Sequence, residues 1–179
     1  MKHAFHIGTC SWKYPSWHGL VYSDAPHPNY LAEYAQHYDI VEVDQWFWSL
    51  FAPDRVVLPQ PNVVTEYAAA VPKEFRFAVK LPNALTLTHF HQAARTDPLV
   101  PNPHFLSLDV LHGFLDRLAP MRDKLGPLML QFGYLSVDTM VMKMTVAATT
   151  SISEIARATR TTLPDFPWLS HHFRYFDSK

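Results

Sequence analysis

Residues 75–81, Phe-Arg-Phe-Ala-Val-Lys-Leu, decide the fold, because large apolar side chains alternate along them with charged or small ones. Successive side chains of a β-strand point to opposite faces. Phe77 and Val79 therefore share an apolar face, and Lys80 lies on a partly polar one. Residues 39–45 repeat the pattern, with Val41 and Val43 on one face and Glu42 and Asp44 on the other.

Segments with helical spacing separate four such strand-like segments. Apolar and aromatic residues recur at helical spacing in 30–38, and further helices are predicted at 62–70 and 107–122, the last with Ser107 as its N-cap. Strands are predicted at 5–11, 39–45, 75–81 and 127–132, with a proline-containing stretch at 52–61 and a long loop at 82–103. Strands that alternate with helices indicate parallel βαβ units.

The polar faces of these strands favour a barrel. In a parallel sheet the apolar face meets the helices, so the polar face has to point into an enclosed, wet space. Glu42, Asp44 and Lys80 all come late in their strands, which is the end where barrel active sites lie. An antiparallel sheet with one solvated face would show the same alternation, but the intervening helices argue against it. We therefore predict a TIM-type (β/α) barrel in the α/β class.

Composition excludes several classes of protein. The 179 residues carry 15 Lys and Arg against 16 Asp and Glu, a net charge of −1, which argues against nucleic acid as a partner. The 5 glycines form neither a P-loop nor a dinucleotide fingerprint, and no cofactor is identified. The single cysteine, Cys10, excludes an internal disulfide, and we expect it to be a small buried hydrophobic residue. No signal peptide or membrane span is visible, so a cytoplasmic location is expected.

Several separate motifs resemble the YecE-like family, called domain of unknown function 72. They are IGTCSWKY at 7–14, VEVDQWFW at 41–48, FRFAVK at 75–80, LTLTH at 85–89 and LGPLMLQF at 125–132. The resemblance covers about residues 5–135 and implies a (β/α)₈ barrel without an established reaction. Asp44 stands where the family customarily has Asn, and Trp48 where Tyr is often found.

The sequence departs from the family pattern after Phe132. Family members continue with further strands, and a complete barrel typically needs about 250 residues. We therefore expect residues 1–135 to form a partial barrel domain of about four βα units. Residues 136–179 are expected to be a divergent, truncated or frameshifted tail, without a convincing strand in 163–179.

Glu42 and Lys80 are the leading candidates for catalytic residues, because both fall late on adjacent strands with inward parity. A lysine beside a carboxylate can act as an acid, a base or a charge clamp, although a structural ion pair would look the same in the sequence. His89 joins them as a candidate because it lies in the Thr-His motif of the resemblance.

The predicted ligand-binding residues lie in the loops at the carboxyl ends of the strands. Aromatic side chains there suit stacking on a ligand ring, but they equally suit closing the top of the core. The set is Trp12, Tyr14, Trp17, Trp46 and Phe47, together with Asp44 as a second acid and Gln131 late on the fourth strand.

Three functions follow from these candidates. The first is binding or conversion of a small polar or anionic ligand through Glu42 and Lys80. The second is a metal-dependent phosphoesterase or nuclease, with His89, His91 and Glu42 as ligands, although no metal-binding motif of known spacing accompanies them. The third is a non-catalytic, vestigial half-barrel whose open edges are covered by self-association.

Overall fold

The computed structural model describes residues 5–52, 55–92, 94, 96–132, 152–162 and 169–170. Helices in these ranges are Tyr30–Tyr34 (α1), Pro61–Ala70 (α2), Asn83–Thr86 (α3), Leu108–Arg117 (α4) and Ile152–Thr162 (α5). Strands are Ile40–Val43 (β1), Leu50–Ala52 (β2), Arg55–Val56 (β3), Arg76–Lys80 (β4), Leu125–Met129 (β5) and Leu169–Ser170 (β6). Short 3₁₀ helices lie at Pro15–Trp17 and Ala119–Lys124.

Four of the strands form one parallel sheet in the order β1-β4-β5-β6. In its register Glu42 lies opposite Ala78, and Lys80 lies opposite Met129. The order follows the chain, as the βαβ prediction requires. Within the described residues this sheet does not close on itself, so the fold is a mixed α/β fold with a parallel sheet.

One face of the sheet packs into the hydrophobic core. Val41, Phe77, Val79 and Leu128 have no exposed surface. The helices cover them with buried side chains that share an apolar character: Val64 of α2, Leu111 and Phe114 of α4, and Ile155 of α5. The alternation in the sequence therefore divides the sheet as predicted, because one face is fully buried, whereas Glu42 and Lys80 on the other face remain partly exposed.

Side chains form hydrogen bonds with backbone groups that would otherwise be unpaired at helix ends. Ser107 is the N-cap of α4, where its Oγ accepts a hydrogen bond from the Val110 N–H at 3.3 Å, and the prediction is confirmed. At the carboxyl end of α2, the Lys124 ammonium donates to the carbonyls of Ala68 and Val71 at 2.5 and 2.7 Å. A cation at that end complements the helix dipole as well as its unpaired carbonyls.

The first predicted strand shortens to a single parallel bridge between Cys10 and Glu42. Two backbone hydrogen bonds hold it, one from the Glu42 N–H to the Thr9 carbonyl and one from the Ser11 N–H to the Glu42 carbonyl, both at 3.0 Å. Ser11 has a φ of 68°, a left-handed conformation that ends the extended pairing. Gly8 lies against the Ile40 carbonyl with no room for a Cβ, so this close approach requires glycine.

Three further segments differ from the prediction. The stretch at 52–61 contributes to an antiparallel pair, β2 with β3, and the loop at 82–103 begins with the short helix α3. The expectation of no strand in 163–179 is wrong at Leu169–Ser170, which pairs in parallel with β5. Leu169–Ser170 has a weak local pattern, and its pairing with β5 depends on a partner about 41 residues away in the sequence. The remaining residues of the predicted tail, 136–151, 163–168 and 171–179, lie outside the described residues.

Candidate functional site

Four polar side chains meet near the carboxyl ends of β1 and β4, on the face opposite the core. The Lys80 Nζ lies 2.7 Å from Glu42 Oε1. The Cys10 Sγ lies 3.4 Å from the same oxygen and 3.5 Å from Asp44 Oδ2. We call these four residues the polar cluster.

Strand register explains why these residues meet. Cys10 lies opposite Glu42, and Glu42 lies opposite Ala78 on β4. Lys80 comes two residues later, so it is the next side chain on the same face. Its long stem reaches back to Glu42, and the side chains of Lys80 and Glu42 remain 19% and 27% exposed. Glu42 and Lys80 therefore form an ion pair that stays partly exposed to solvent.

Lys80 stays a cation at neutral pH. Burial lowers the pKa of its ammonium, but the hydrogen bond and negative charge of Glu42, with smaller contributions from Cys10 and Asp44, together outweigh burial, so the pKa is raised overall. A protonated lysine donates hydrogen bonds and offers positive charge, and it does not serve as a base. Of the roles considered for Lys80, charge clamp and proton donor fit this state.

Cys10 differs from the expectation of a buried hydrophobic residue, which is wrong. The residue is exposed, because its parity places it on the wet face beside Glu42 and Asp44. Partial burial and the two carboxylates raise the pKa of its thiol from 9.0 to about 11. At neutral pH the thiol is therefore a neutral, weak hydrogen-bond donor and a poor nucleophile.

Tyr14 extends the polar cluster toward the first loop. Its hydroxyl donates to the Cys10 carbonyl, and its ring lies 4.5 Å from that of Trp17. Burial raises the pKa of the Tyr14 phenol, with smaller contributions from Cys10, Asp44 and Glu42. Both rings are partly exposed, so Tyr14 and Trp17 are the predicted aromatic residues that solvent can reach beside the cluster.

The other predicted aromatic residues lie inside. Trp12 and Trp46 belong to the hydrophobic core and flank Tyr67, at ring distances of 4.9 and 5.8 Å. Phe47 is also buried, at 8% exposure. Their burial is what we expect if these rings are ordinary core residues. A binding role for them stays a prediction.

A buried polar network that the sequence did not predict links Asn83 with the loop between β1 and β2. Asn83, three residues after β4, is 4% exposed, and its Oδ1 accepts hydrogen bonds from the backbone N–H and hydroxyl of Ser49 and from the Leu50 N–H. The one signal in the sequence was an amide residue directly beyond a strand end. The loop that it ties to β4 begins at Asp44.

The remaining candidates lie in other loops. His89 Nδ1 is 3.1 Å from Thr88 Oγ1, and the His89 backbone bridges to Pro101. Gln131 is half-buried just beyond β5, and His91 is exposed. Among the described residues, no three His, Cys, Asp or Glu side chains form a group that could hold a metal ion. Likewise, no helix in the described ranges is long and apolar enough to cross a membrane.

Comparison with known proteins identifies relatives. A family model described as "Protein of unknown function DUF72" matches residues 6–140. The UPF0759 proteins YecE of Escherichia coli strains K12 and O157:H7 are 29% identical over 128 residues, which are 70% of this chain and 36% of theirs. The chain therefore spans about a third of the length of these curated relatives.

Solved structures of two DUF72 proteins share the fold. The protein TM1631 of Thermotoga maritima matches 99% of this chain and 59% of its own, with a TM-score of 0.55 and 20% identity. The protein EF0366 of Enterococcus faecalis matches 80% of this chain and 46% of its own, with a TM-score of 0.50 and 21% identity. The resemblance read from the motifs is thus confirmed. The chain belongs to the DUF72 family, whose members are described as proteins of unknown function.

Proposed function

We propose that this chain binds a small polar or anionic molecule at the carboxyl end of its parallel sheet, with Glu42 and Lys80 as the central pair. The observation that carries the proposal is the 2.7 Å contact between Lys80 and Glu42 on the face opposite the core. Charged groups on that face contribute little to packing, so their placement there favours a role toward a ligand. Loops beyond the carboxyl ends of parallel strands are where ligands bind in α/β folds.

The roles within the site follow from charge. Lys80, held protonated by Glu42, would donate hydrogen bonds to an anionic or carbonyl oxygen of the ligand. Glu42 and Asp44 would accept from ligand hydroxyl or amine groups, and Glu42 is placed to take a proton in a reaction. Tyr14 and Trp17 would present ring faces beside these groups.

We also propose that the sheet is one side of a TIM-type barrel. Its strands are parallel, they follow chain order and helices separate them, which are the properties of successive barrel units. The open sheet edges would then be covered by self-association, the partner arrangement that the sequence analysis predicted. A sedimentation measurement tests this part, and a folded monomer would contradict the self-association.

No observation favours the metal-dependent phosphoesterase. That function needs several convergent ligands, and the described residues near His89 and Glu42 form no such group.

The experiment uses three probes: inorganic phosphate, a dicarboxylate such as malonate, and a neutral sugar, each titrated by calorimetry. We expect Lys80→Ala and Glu42→Gln to abolish binding without unfolding the protein. Arg76→Ala is the matched control, since it removes a cation from the same face of β4 at the other end of the strand. Unchanged binding in both site variants, or no binding of any probe to the wild-type chain, would contradict the proposal.

A further inference from the structure

Asn83 closes the loop between β1 and β2 onto the end of β4. Its Oδ1 accepts from the Ser49 N–H at 3.0 Å, from the Ser49 hydroxyl at 3.0 Å and from the Leu50 N–H at 2.9 Å. Its own backbone N–H donates to the Phe47 carbonyl at 2.7 Å. Ser49 is fully buried and Asn83 nearly so, so water does not replace these bonds.

The loop held in this way carries Asp44. The Phe47 N–H donates to the Asp44 carbonyl at 3.0 Å, while the Phe47 carbonyl accepts from Asn83. Two backbone hydrogen bonds therefore connect Asn83 with Asp44, whose carboxylate lies 3.5 Å from Cys10. The Asn83 side chain fixes the other end of the same loop, at Ser49 and Leu50. On the other side, Asn83 follows Lys80 by three residues. Asn83 thus joins the two strand ends that supply the polar cluster.

We infer that Asn83 is a positioning residue for the site, which holds Asp44 at contact distance from Cys10. The inference rests on the proposed function, because it assigns Asn83 a role toward that same cluster. The side chain suits the task chemically. An amide oxygen accepts several hydrogen bonds while remaining neutral, whereas an ionised acceptor in this buried place would lose its hydration.

The buried amide of Asn83 would also be explained if it only stabilised the fold. The experiment therefore has to measure a property that a change in stability alone does not alter. Asn102 supplies the matched control. It is 6% exposed, its Nδ2 donates to the carbonyls of Ala84 and Leu87, and its Oδ1 accepts from the His104 N–H. Its side chain forms as many hydrogen bonds as the Asn83 oxygen accepts, but it ties together a loop that does not carry Asp44.

The experiment follows alkylation of Cys10 by iodoacetamide across the alkaline range in the full chain. Cys10 is the single cysteine, so the rate reports on it alone. The wild-type profile should have its midpoint at about 11. Asn83→Ala removes the three side-chain bonds and keeps the backbone bond to Phe47. We expect the midpoint to fall by less than one pH unit, because Asp44 is then held less firmly beside the thiol, whose pKa burial and Glu42 also raise. Asn102→Ala should keep the wild-type midpoint.

The possible results distinguish a failure of the Asn83 role from a failure of the proposed site. An unchanged midpoint in folded Asn83→Ala, or an equal fall in Asn102→Ala, would overturn the positioning role. If Asn83→Ala does not fold, Ser49→Ala removes one of the three donated bonds and is judged by the same readout. Glu42→Gln and Asp44→Asn should each lower the midpoint. If neither does, the polar cluster itself is wrong, which is a different failure from that of Asn83.

Discussion

The two faces of β4 show how one strand serves stability and a site at once. On the core face Phe77 and Val79 have no exposed surface, while on the other face the Lys80 side chain is 19% exposed and pairs with Glu42. Burial of apolar area supplies most of the free energy of folding. Because the core face already provides it, the opposite face can hold charges that contribute little to stability.

The strongest way to break this division is Phe77→Ala. The substitution opens a cavity in the core, and we expect the free energy of unfolding to fall by about 3–5 kcal/mol. Urea denaturation measures the loss. A decrease no larger than that of a substitution on the polar face would contradict the division of roles between the faces.

Alkaline pH should act on the polar face with an intermediate effect. The pKa of Cys10 is raised from 9.0 to about 11 in the folded chain, and the pKa of Lys80 is also raised. Between pH 9 and about 11, the Cys10 thiol keeps its proton in the folded chain and loses it in the unfolded chain. The contribution to stability is therefore complete below pH 9 and is lost as the pH rises through about 11.

Urea denaturation over this range measures the decline, and Cys10→Ser is the control. Serine does not titrate there, so the variant should lose the Cys10 part of the pH dependence and keep the Lys80 part. A flat profile in the wild-type chain would show that the polar cluster does not perturb either group.

Lys80→Met, on the polar face of β4, should have the smallest effect on the free energy of unfolding. It removes the charge but keeps much of the apolar stem. Partly exposed ion pairs contribute little, so the free energy of unfolding should change by about 1 kcal/mol or less. The same denaturation experiment as for Phe77→Ala measures it. A loss as large as that of Phe77→Ala would make the Lys80–Glu42 pair a structural element and remove the main support for a site.

Much of the fold was predictable because it depends on local patterns. The alternation at 39–45 and 75–81, the helices at 62–70 and 107–122, and the Ser107 cap all appear close to their predicted places. The antiparallel pair β2 and β3 was not predicted because its strands have only three and two residues, too few to show an alternating pattern. The strand β6 is equally short, and its partner β5 lies about 41 residues away in the sequence.

Part of the candidate site was also predictable from local sequence patterns. Parity alone directs Glu42 and Lys80 to one face, and strand order places them on neighbouring strands. Neither parity nor composition shows that Cys10 touches both carboxylates, or that Asn83 holds the loop between β1 and β2. These contacts join residues 32 to 34 positions apart, and only the register between strands and the path of the loops determine them.

By itself, then, the sequence determined which residues share a face, where α4 begins and which family the chain belongs to, because periodicity, caps and motifs are written in neighbouring residues. Tertiary structure decided that Cys10 is exposed, that Trp12 and Trp46 are core, and that Lys80 is held as a cation by Glu42. Burial and pKa depend on what surrounds a side chain in space, and the surroundings of these residues come from strands and loops far away along the chain.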